Sequence, residues 1–142
     1  MKKSSASKFY KGKTVLVTGG CGAIGFCPIR ALTAELGVKK VVVIDDLSSG
    51  DNVVKNPKIK YHFDTILNRK LLTKVFRGGV DMVFHLAAHF ANQNSVEHPE
   101  EDLEVNGRGT LILLEMARRF GVPKFIFTSS SSTFWDMTCA NK

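Results

Sequence analysis

Cysteine is scarce in this chain, and the three present, Cys21, Cys27 and Cys139, form no CxxC pair. An odd, scattered set excludes a disulfide framework and fits free thiols in a reducing compartment. Nor is there an apolar run long enough to span a membrane, and no apolar stretch of the secretory kind follows the basic start MKKSSASKFYKGK. A cytoplasmic location without a membrane partner is therefore expected. At 142 residues the chain has room for one core and no second substantial domain. Metal-ligand patterns are also missing. His85 and His89 have the spacing of a helical metal pair, but they flank a strand end, where they would not share a face, so no metal is expected. Acidic residues are the minority, 13 against 20 basic, giving a net charge of +7. Lys2, Lys3, Lys8, Lys11 and Lys13 supply five of those charges before the first apolar run, and the remainder carries only +2. The excess belongs to an N-terminal segment read as a solvated flexible tail, residues 1–12, and does not call for nucleic acid.

What is present is organised around Lys13 to Leu36, KTVLVTGGCGAIGFCPIRALTAEL. A β-branched run, Thr14 to Thr18, is followed at once by glycines at positions 19, 22 and 25 and then by a helix-compatible segment. This is how a phosphate-binding strand–turn–helix is written. Gly19 permits the sharp turn, Gly22 lets backbone N–H groups approach a pyrophosphate, and Gly25 lets helix and strand pack closely. A helix starting near Ala23 then offers the anion its unpaired N–H groups and the positive end of its dipole. The second apolar run, Lys40 to Ile44, ends in Asp45 and Asp46, about 20 residues beyond the loop, where a dinucleotide fold places the carboxylate for the adenosine ribose. An acid there repels a 2′-phosphate, and no Arg follows within five residues, so NAD is expected rather than NADP. Cys21, inside the loop, reads as a small side chain filling a turn.

Pro28 disturbs the first helix: either the regular helix starts later than Ala23, or its first turn is distorted, before Gly37 ends it near Leu36. After the acids, Ser48, Ser49 and Gly50 either donate hydrogen bonds to the adenosine side of a cofactor or form a polar turn. Ile59 to Phe63 reads as a third strand. Asn68 to Phe76 reads as a helix whose stripe of Leu71, Leu72, Val75 and Phe76 faces the core. Asp81 to Leu86 is a fourth strand ending in Ala87 and Ala88, small residues that let a flat ligand pass close to the backbone. One helix, irregular near Gly107 and Gly109, is predicted to start between Pro99 and Leu103 and run to Phe120. Lys124 to Thr128 is a fifth strand leading into a run of serines. Strands alternating with helices imply an α/β, Rossmann-like, doubly wound parallel sheet in the order 3-2-1-4-5 over residues 13–142.

The segments TGGCGAIG, VVVIDDLSSG, FHLAAH, EVNGRGTLILLE and KFIFTSSSS occur in that order, and together they resemble the extended short-chain dehydrogenase/reductase family. Within it the chain is most similar to NAD-dependent nucleotide-sugar epimerases and dehydratases, across Lys13 to Thr133. The resemblance implies NAD as cofactor and a UDP- or dTDP-linked sugar as partner of the full-length family. It assigns Gly19, Gly22, Ala23, Ile24 and Gly25 to the pyrophosphate loop, and Asp45 and Asp46 to the adenosine ribose. Thr65 and Ile66 stand where the family has Asp-Ile beside the adenine; Thr65 departs from that pattern, and Asp64 is the alternative. Leu86, Ala87 and Ala88 match the strand that backs the cofactor, and Asn106 an asparagine that braces it. Ser130, with Ser131 as the alternative, matches the catalytic Ser/Thr.

The family's YxxxK pair does not follow. The only tyrosines are Tyr10 and Tyr61, and neither has Lys four positions later. In that chemistry the Tyr removes the hydroxyl proton while hydride leaves for the nicotinamide, so Ser130 is left without its base. Phe26, Cys27 and Pro28 replace the usual Ser, His and aliphatic residue, and Phe134 and Trp135 replace Tyr-Gly. A copy truncated before the YxxxK helix and the substrate domain would look like this. It would hold the cofactor without completing catalysis, or act as a non-enzymatic binding module. An open sheet edge after the fifth strand would also invite self-association.

Overall fold

The computed structural model describes residues 5–89 and 96–129. Five strands form one parallel sheet, β1 Thr14–Thr18, β2 Lys40–Asp45, β3 Ile59–Phe63, β4 Met82–His85 and β5 Phe125–Phe127, in the order β3-β2-β1-β4-β5, as expected. The central strands are continuously apolar through their middles, Val15–Val17, Val41–Ile44 and Met82–Phe84, because both faces are covered. Leu16, Val42, Ile44 and Val83 point into one core, while Val15, Val17, Val41, Val43 and Met82 point into the other. The strand ends differ slightly from the sequence reading. Asp45 still belongs to β2, and Asp81 precedes β4, its carboxylate accepting the Thr14 N–H at 2.7 Å.

Helix α2, Ala23–Ala34, lays Ile29 and Leu32 on the second core. It starts at Ala23 despite Pro28, which lies inside it. Lacking an N–H, Pro28 deprives the Ile24 carbonyl of its helical donor, and the Ile24 side chain is exposed there. The helix stops two residues short of Leu36, with the Glu35 N–H bonded to the Ala31 carbonyl and Gly37 turning the chain at φ 67°. Helix α3, Arg69–Arg77, is capped by Asn68, which accepts the Leu71 N–H at 3.0 Å. Its predicted stripe packs on the first core, with Leu72, Val75 and Phe76 buried. The long helix is one body in three stretches: α4 Pro99–Asp102, a π-helical stretch Leu103–Gly109, and α5 Thr110–Arg119. The irregularity expected at Gly107 and Gly109 is this wide turn. No helix among the described residues is long and apolar enough to cross a membrane.

The expected flexible tail is corrected in part. Ser5–Tyr10 form a short helix, α1, and Tyr10 stacks on Phe84 with ring centroids 6.5 Å apart. The Gly12 N–H bonds the Gly37 carbonyl at 3.1 Å, fastening this segment to the end of α2. Two aromatic residues, Phe9 and Tyr10, among the lysines supply apolar area that a purely polar tail would lack.

At the carboxyl end of β1, Gly19 adopts φ 69°, and a Cβ there would stand 2.6 Å from the Ala87 nitrogen. Any side chain at this position meets both a disfavoured backbone conformation and a wall of backbone that cannot yield. Gly19→Ala is accordingly expected to cost at least about 2 kcal/mol of stability, measured by urea unfolding. An unchanged midpoint would show that the loop and β4 do not meet this closely.

Candidate cofactor cleft

The chain order reverses about β1: β2 and β3 lie on one side and β4 and β5 on the other. Beyond the carboxyl ends of such strands an open α/β sheet leaves a crevice. Here it is a cleft of about 300 Å³. Gly19, Gly22, Ile44, Asp45, Asp46, Ser48, Ser49 and Gly50 line its first part, and Asp64, Thr65, Ile66, Leu86, Ala87, Ala88, His89 and Val105 line the rest.

The glycine loop forms its floor, and two features hold it. Gly25 packs against the loop backbone, where a Cβ would fall onto the Gly19 carbonyl oxygen. The Cys21 peptide is gripped from both sides. Its N–H donates to Asp45 Oδ2 at 2.8 Å, and its carbonyl accepts from the Asn52 N–H at 3.0 Å and Asn52 Nδ2 at 3.1 Å. The Cys21 side chain is fully buried, and burial together with the nearby Asp45 carboxylate pushes its thiol up to about 11. It therefore stays protonated and fills space. The first turn of α2 carries no acidic residue, and Gly22 offers no side-chain cap. The positive end of the helix is left for a ligand anion.

Asp45 sits at the end of β2 with Oδ2 on Cys21 N–H and Oδ1 on Leu47 N–H, 2.8 Å each. A carboxylate has about four acceptor sites, so two remain for hydroxyl groups in the cleft. Asp46 accepts the Ser48 N–H at 3.0 Å, and Asp64 bonds Thr65 N–H and Asn68 Nδ2, both at 2.8 Å. The Thr65 hydroxyl oxygen accepts the Leu67 N–H at 3.3 Å, which leaves its own hydrogen to donate. This end of the cleft is acidic, and the Leu86–His89 end is small and apolar apart from His89.

Behind the apolar end lies a buried polar group, His85, whose partners the sequence reading did not identify. It is 1% exposed, with Nδ1 2.7 Å from Thr18 Oγ1 and Nε2 2.8 Å from Thr110 Oγ1. Both nitrogens are engaged, so the ring has no free ligand position. Asn106 accepts the His89 N–H at 2.8 Å through Oδ1 and donates to the His89 carbonyl at 3.1 Å and to Asp102 Oδ1 at 2.9 Å through Nδ2. His89 itself places Nδ1 3.8 Å from Asp102 Oδ1.

Of the residues expected from the sequence, Gly19, Gly22, Asp45, Asp46, Ser48, Ser49, Gly50, Thr65, Ile66, Leu86, Ala87 and Ala88 converge on this cleft. Gly25 and Asn106 lie behind its walls, and Ala23 and Ile24, at the start of α2, do not line it and are exposed. Ser130 and Ser131 lie outside the described residues. Ile44, His89 and Val105 were not expected; Ile44 reaches the cleft near the end of β2, His89 in the segment after β4 and Val105 on the π-helical stretch. Neither tyrosine does so. Tyr61 is occupied with the Val54 peptide, its hydroxyl accepting the N–H at 2.9 Å and donating to the carbonyl at 3.2 Å.

A doubly wound parallel sheet, a glycine turn opening onto a helix start and an acid at the next strand's end define a Rossmann-type dinucleotide-binding domain. The chain belongs to the NAD-dependent epimerase/dehydratase family, whose model matches residues 15–139. The UDP-glucose 4-epimerase of Streptococcus mutans is 34% identical over 122 residues, covering 84% of this chain and 36% of that protein. An epimerase structure from Methanothermobacter thermautotrophicus superposes with TM-score 0.84 at 45% identity, covering 89% of this chain and 38% of that one. The Thermus thermophilus UDP-glucose 4-epimerase, solved with NAD, gives 0.75 at 36% identity, with 82% and 37% covered. The chain thus spans less than two fifths of the length of these relatives.

Burial lowers His85 from the ordinary histidine value of 6.5 to about 4. The unfolded chain therefore takes up a proton near pH 6.5 that the folded chain refuses until about pH 4, and stability falls as pH drops through that window. The loss should reach roughly 3 kcal/mol near pH 4 and be absent above pH 7. Urea unfolding at pH 7.5 and pH 4.5 should show it in the parent chain and much less of it in His85→Asn. Equal losses in the two would refute this assignment.

Proposed function

We propose that this chain is the cofactor-binding part of a nucleotide-sugar epimerase or dehydratase and holds NAD across the cleft. The observation that carries this reading is the pair formed by the uncapped start of α2 and the Asp45 carboxylate, facing one crevice. The residues present fit the cofactor. Gly19, Gly22 and the first turn of α2 offer space and N–H groups for a pyrophosphate, and Asp45 has two acceptor sites for ribose hydroxyls. Thr65, Ile66 and Asp64 border the adenine position, and Leu86, Ala87 and Ala88 leave a flat apolar wall for the nicotinamide half. Asp45, Asp46 and Asp64 together disfavour a 2′-phosphate, which selects NAD over NADP.

When bound, NAD supplies a hydride acceptor for a sugar carbon. This chain's residues orient the cofactor and keep water from its apolar face. The sugar hydroxyl's proton needs a base, and the 142 residues contain no YxxxK pair. Ser130, with Ser131 beside it, can hydrogen-bond that hydroxyl but not deprotonate it unaided. The proposed substrate of the whole protein is a UDP- or dTDP-linked sugar, and cofactor binding without turnover is the activity proposed for this chain.

Calorimetric titration of the folded chain should give saturable NAD binding and at least tenfold weaker NADP binding. Asp45→Ala should weaken NAD at least tenfold, because it removes the ribose acceptors and also frees the Cys21 and Leu47 N–H groups that fix the loop. No heat of binding from folded protein would overturn the proposal. A second reading, self-association through the sheet edge, is favoured by β5, an edge strand among the described residues, whose Phe127 is 56% exposed. Light scattering should then show a concentration-dependent rise in mass that Phe127→Lys removes, whereas a monomer at all concentrations excludes it.

A further inference from the structure

We propose that His85 is a positioning residue that fixes the Leu86–His89 wall of the cleft, acting as the neutral Nε2–H tautomer in a hydrogen-bond chain of one direction. The proposal rests on the cofactor reading of the cleft for its consequence, but its geometry stands apart from that reading.

Thr110 Oγ1 lies 2.6 Å from the Asn106 carbonyl oxygen and 2.8 Å from His85 Nε2. A carbonyl only accepts, so the single hydroxyl hydrogen of Thr110 goes to Asn106, and the Thr110 oxygen must accept from His85. Nε2 therefore carries the ring's hydrogen. A neutral imidazole has one N–H, so Nδ1 is bare and accepts the Thr18 hydroxyl at 2.7 Å. The Thr18 oxygen keeps a free lone pair, and the Ala87 N–H donates to it at 3.4 Å. Every donor points the same way, from Ala87 through Thr18, His85 and Thr110 to Asn106, an order in which each bond polarises the next.

The circuit closes on the cleft. The Asn106 side chain holds both the N–H and the carbonyl of His89. Two residues of the wall, Ala87 and His89, are thus tied to β1 and to the π-helical stretch, and His85 is the link between those two anchors. Few side chains can do this. The link must accept at one end and donate at the other through a rigid ring, and remain uncharged where it is buried. A histidine that merely satisfied itself in a core would need no connection to two cleft-lining peptides.

The test uses the parent chain, His85→Phe, Thr110→Val and Thr110→Ser. Long-range nitrogen–proton NMR of the parent should show the Nε2–H tautomer at neutral pH. Amide hydrogen exchange at Ala87 and His89 should quicken more than tenfold in His85→Phe and Thr110→Val, with Val17 and Val43 of the central strands changing far less, and Thr110→Ser should restore the parent pattern. NAD affinity should weaken about five- to tenfold in the two disruptive variants and not in Thr110→Ser. An Nδ1–H tautomer, or exchange rising equally at all four amides, overturns the proposal. Failure of the parent to bind NAD, with the expected tautomer and exchange pattern, supports the positioning role and removes the cofactor reading instead. Should His85→Phe not fold, the two Thr110 variants decide the matter alone.

Discussion

The close approach of Gly19 to the backbone at Ala87 is the contact on which the cleft depends. It joins the turn after β1 to the end of β4, the pair of strands at which the strand order reverses. Everything else is arranged from that seam. Gly25 presses α2 onto the turn, Asp45 and Asn52 clamp the Cys21 peptide from opposite sides, and the His85 chain fastens the far wall. Tight apolar packing beneath the seam, with Val15, Leu16, Val17 and Val43 fully buried, keeps the strand ends from drifting.

The parts legible in the sequence were those written by local chemistry. Three glycines behind a β-branched run mark a turn, and at Gly19 and Gly25 a side chain would run into backbone, while an acid at a strand end marks itself by spacing. The strand order followed because parallel strands with helical crossovers have few topologies. The His85 chain was not legible in this way. It joins residues 67 and 25 positions apart in the sequence, and a histidine in an apolar run carries no sign of which partners will meet it. Asn106 was identified only through family resemblance, since nothing in EVNGRG shows that its amide will grip a peptide 17 residues earlier. The reading of Ser5–Tyr10 as loose tail weighed charge over its two aromatic rings, and the Tyr10–Phe84 stack shows which prevailed. Pro28 left two readings of α2 open, a later start or a distorted first turn, and the helix starts at Ala23 with Pro28 inside it while Ile29 and Leu32 beyond it pack on the core.

The cleft is chemically lopsided, and that shape limits what it can do. Its acidic end is rich in acceptors and suits sugar hydroxyls, and its alanine-lined end suits a flat ring. Among the described residues neither tyrosine lines it: one is stacked on Phe84 and the other bonded to Val54. The Cys21 thiol is buried and held neutral, so it offers no nucleophile. Among the described residues, this composition suits holding and orienting a ligand.

The π-helical stretch makes the chain's length rigid at one point. From Leu103 to Gly109 the helix accommodates an additional residue in its wider turns, and this lets Asn106 reach His89 while Thr110 faces His85. Each residue of an ordinary helix turns the chain by about 100°. Losing or gaining one there would swing Ile112, Leu113 and Met116 off the sheet and unlink Thr110 in the same step. Substitution can vary this segment, but insertion and deletion cannot, so its spacing is the part of the fold least free to drift.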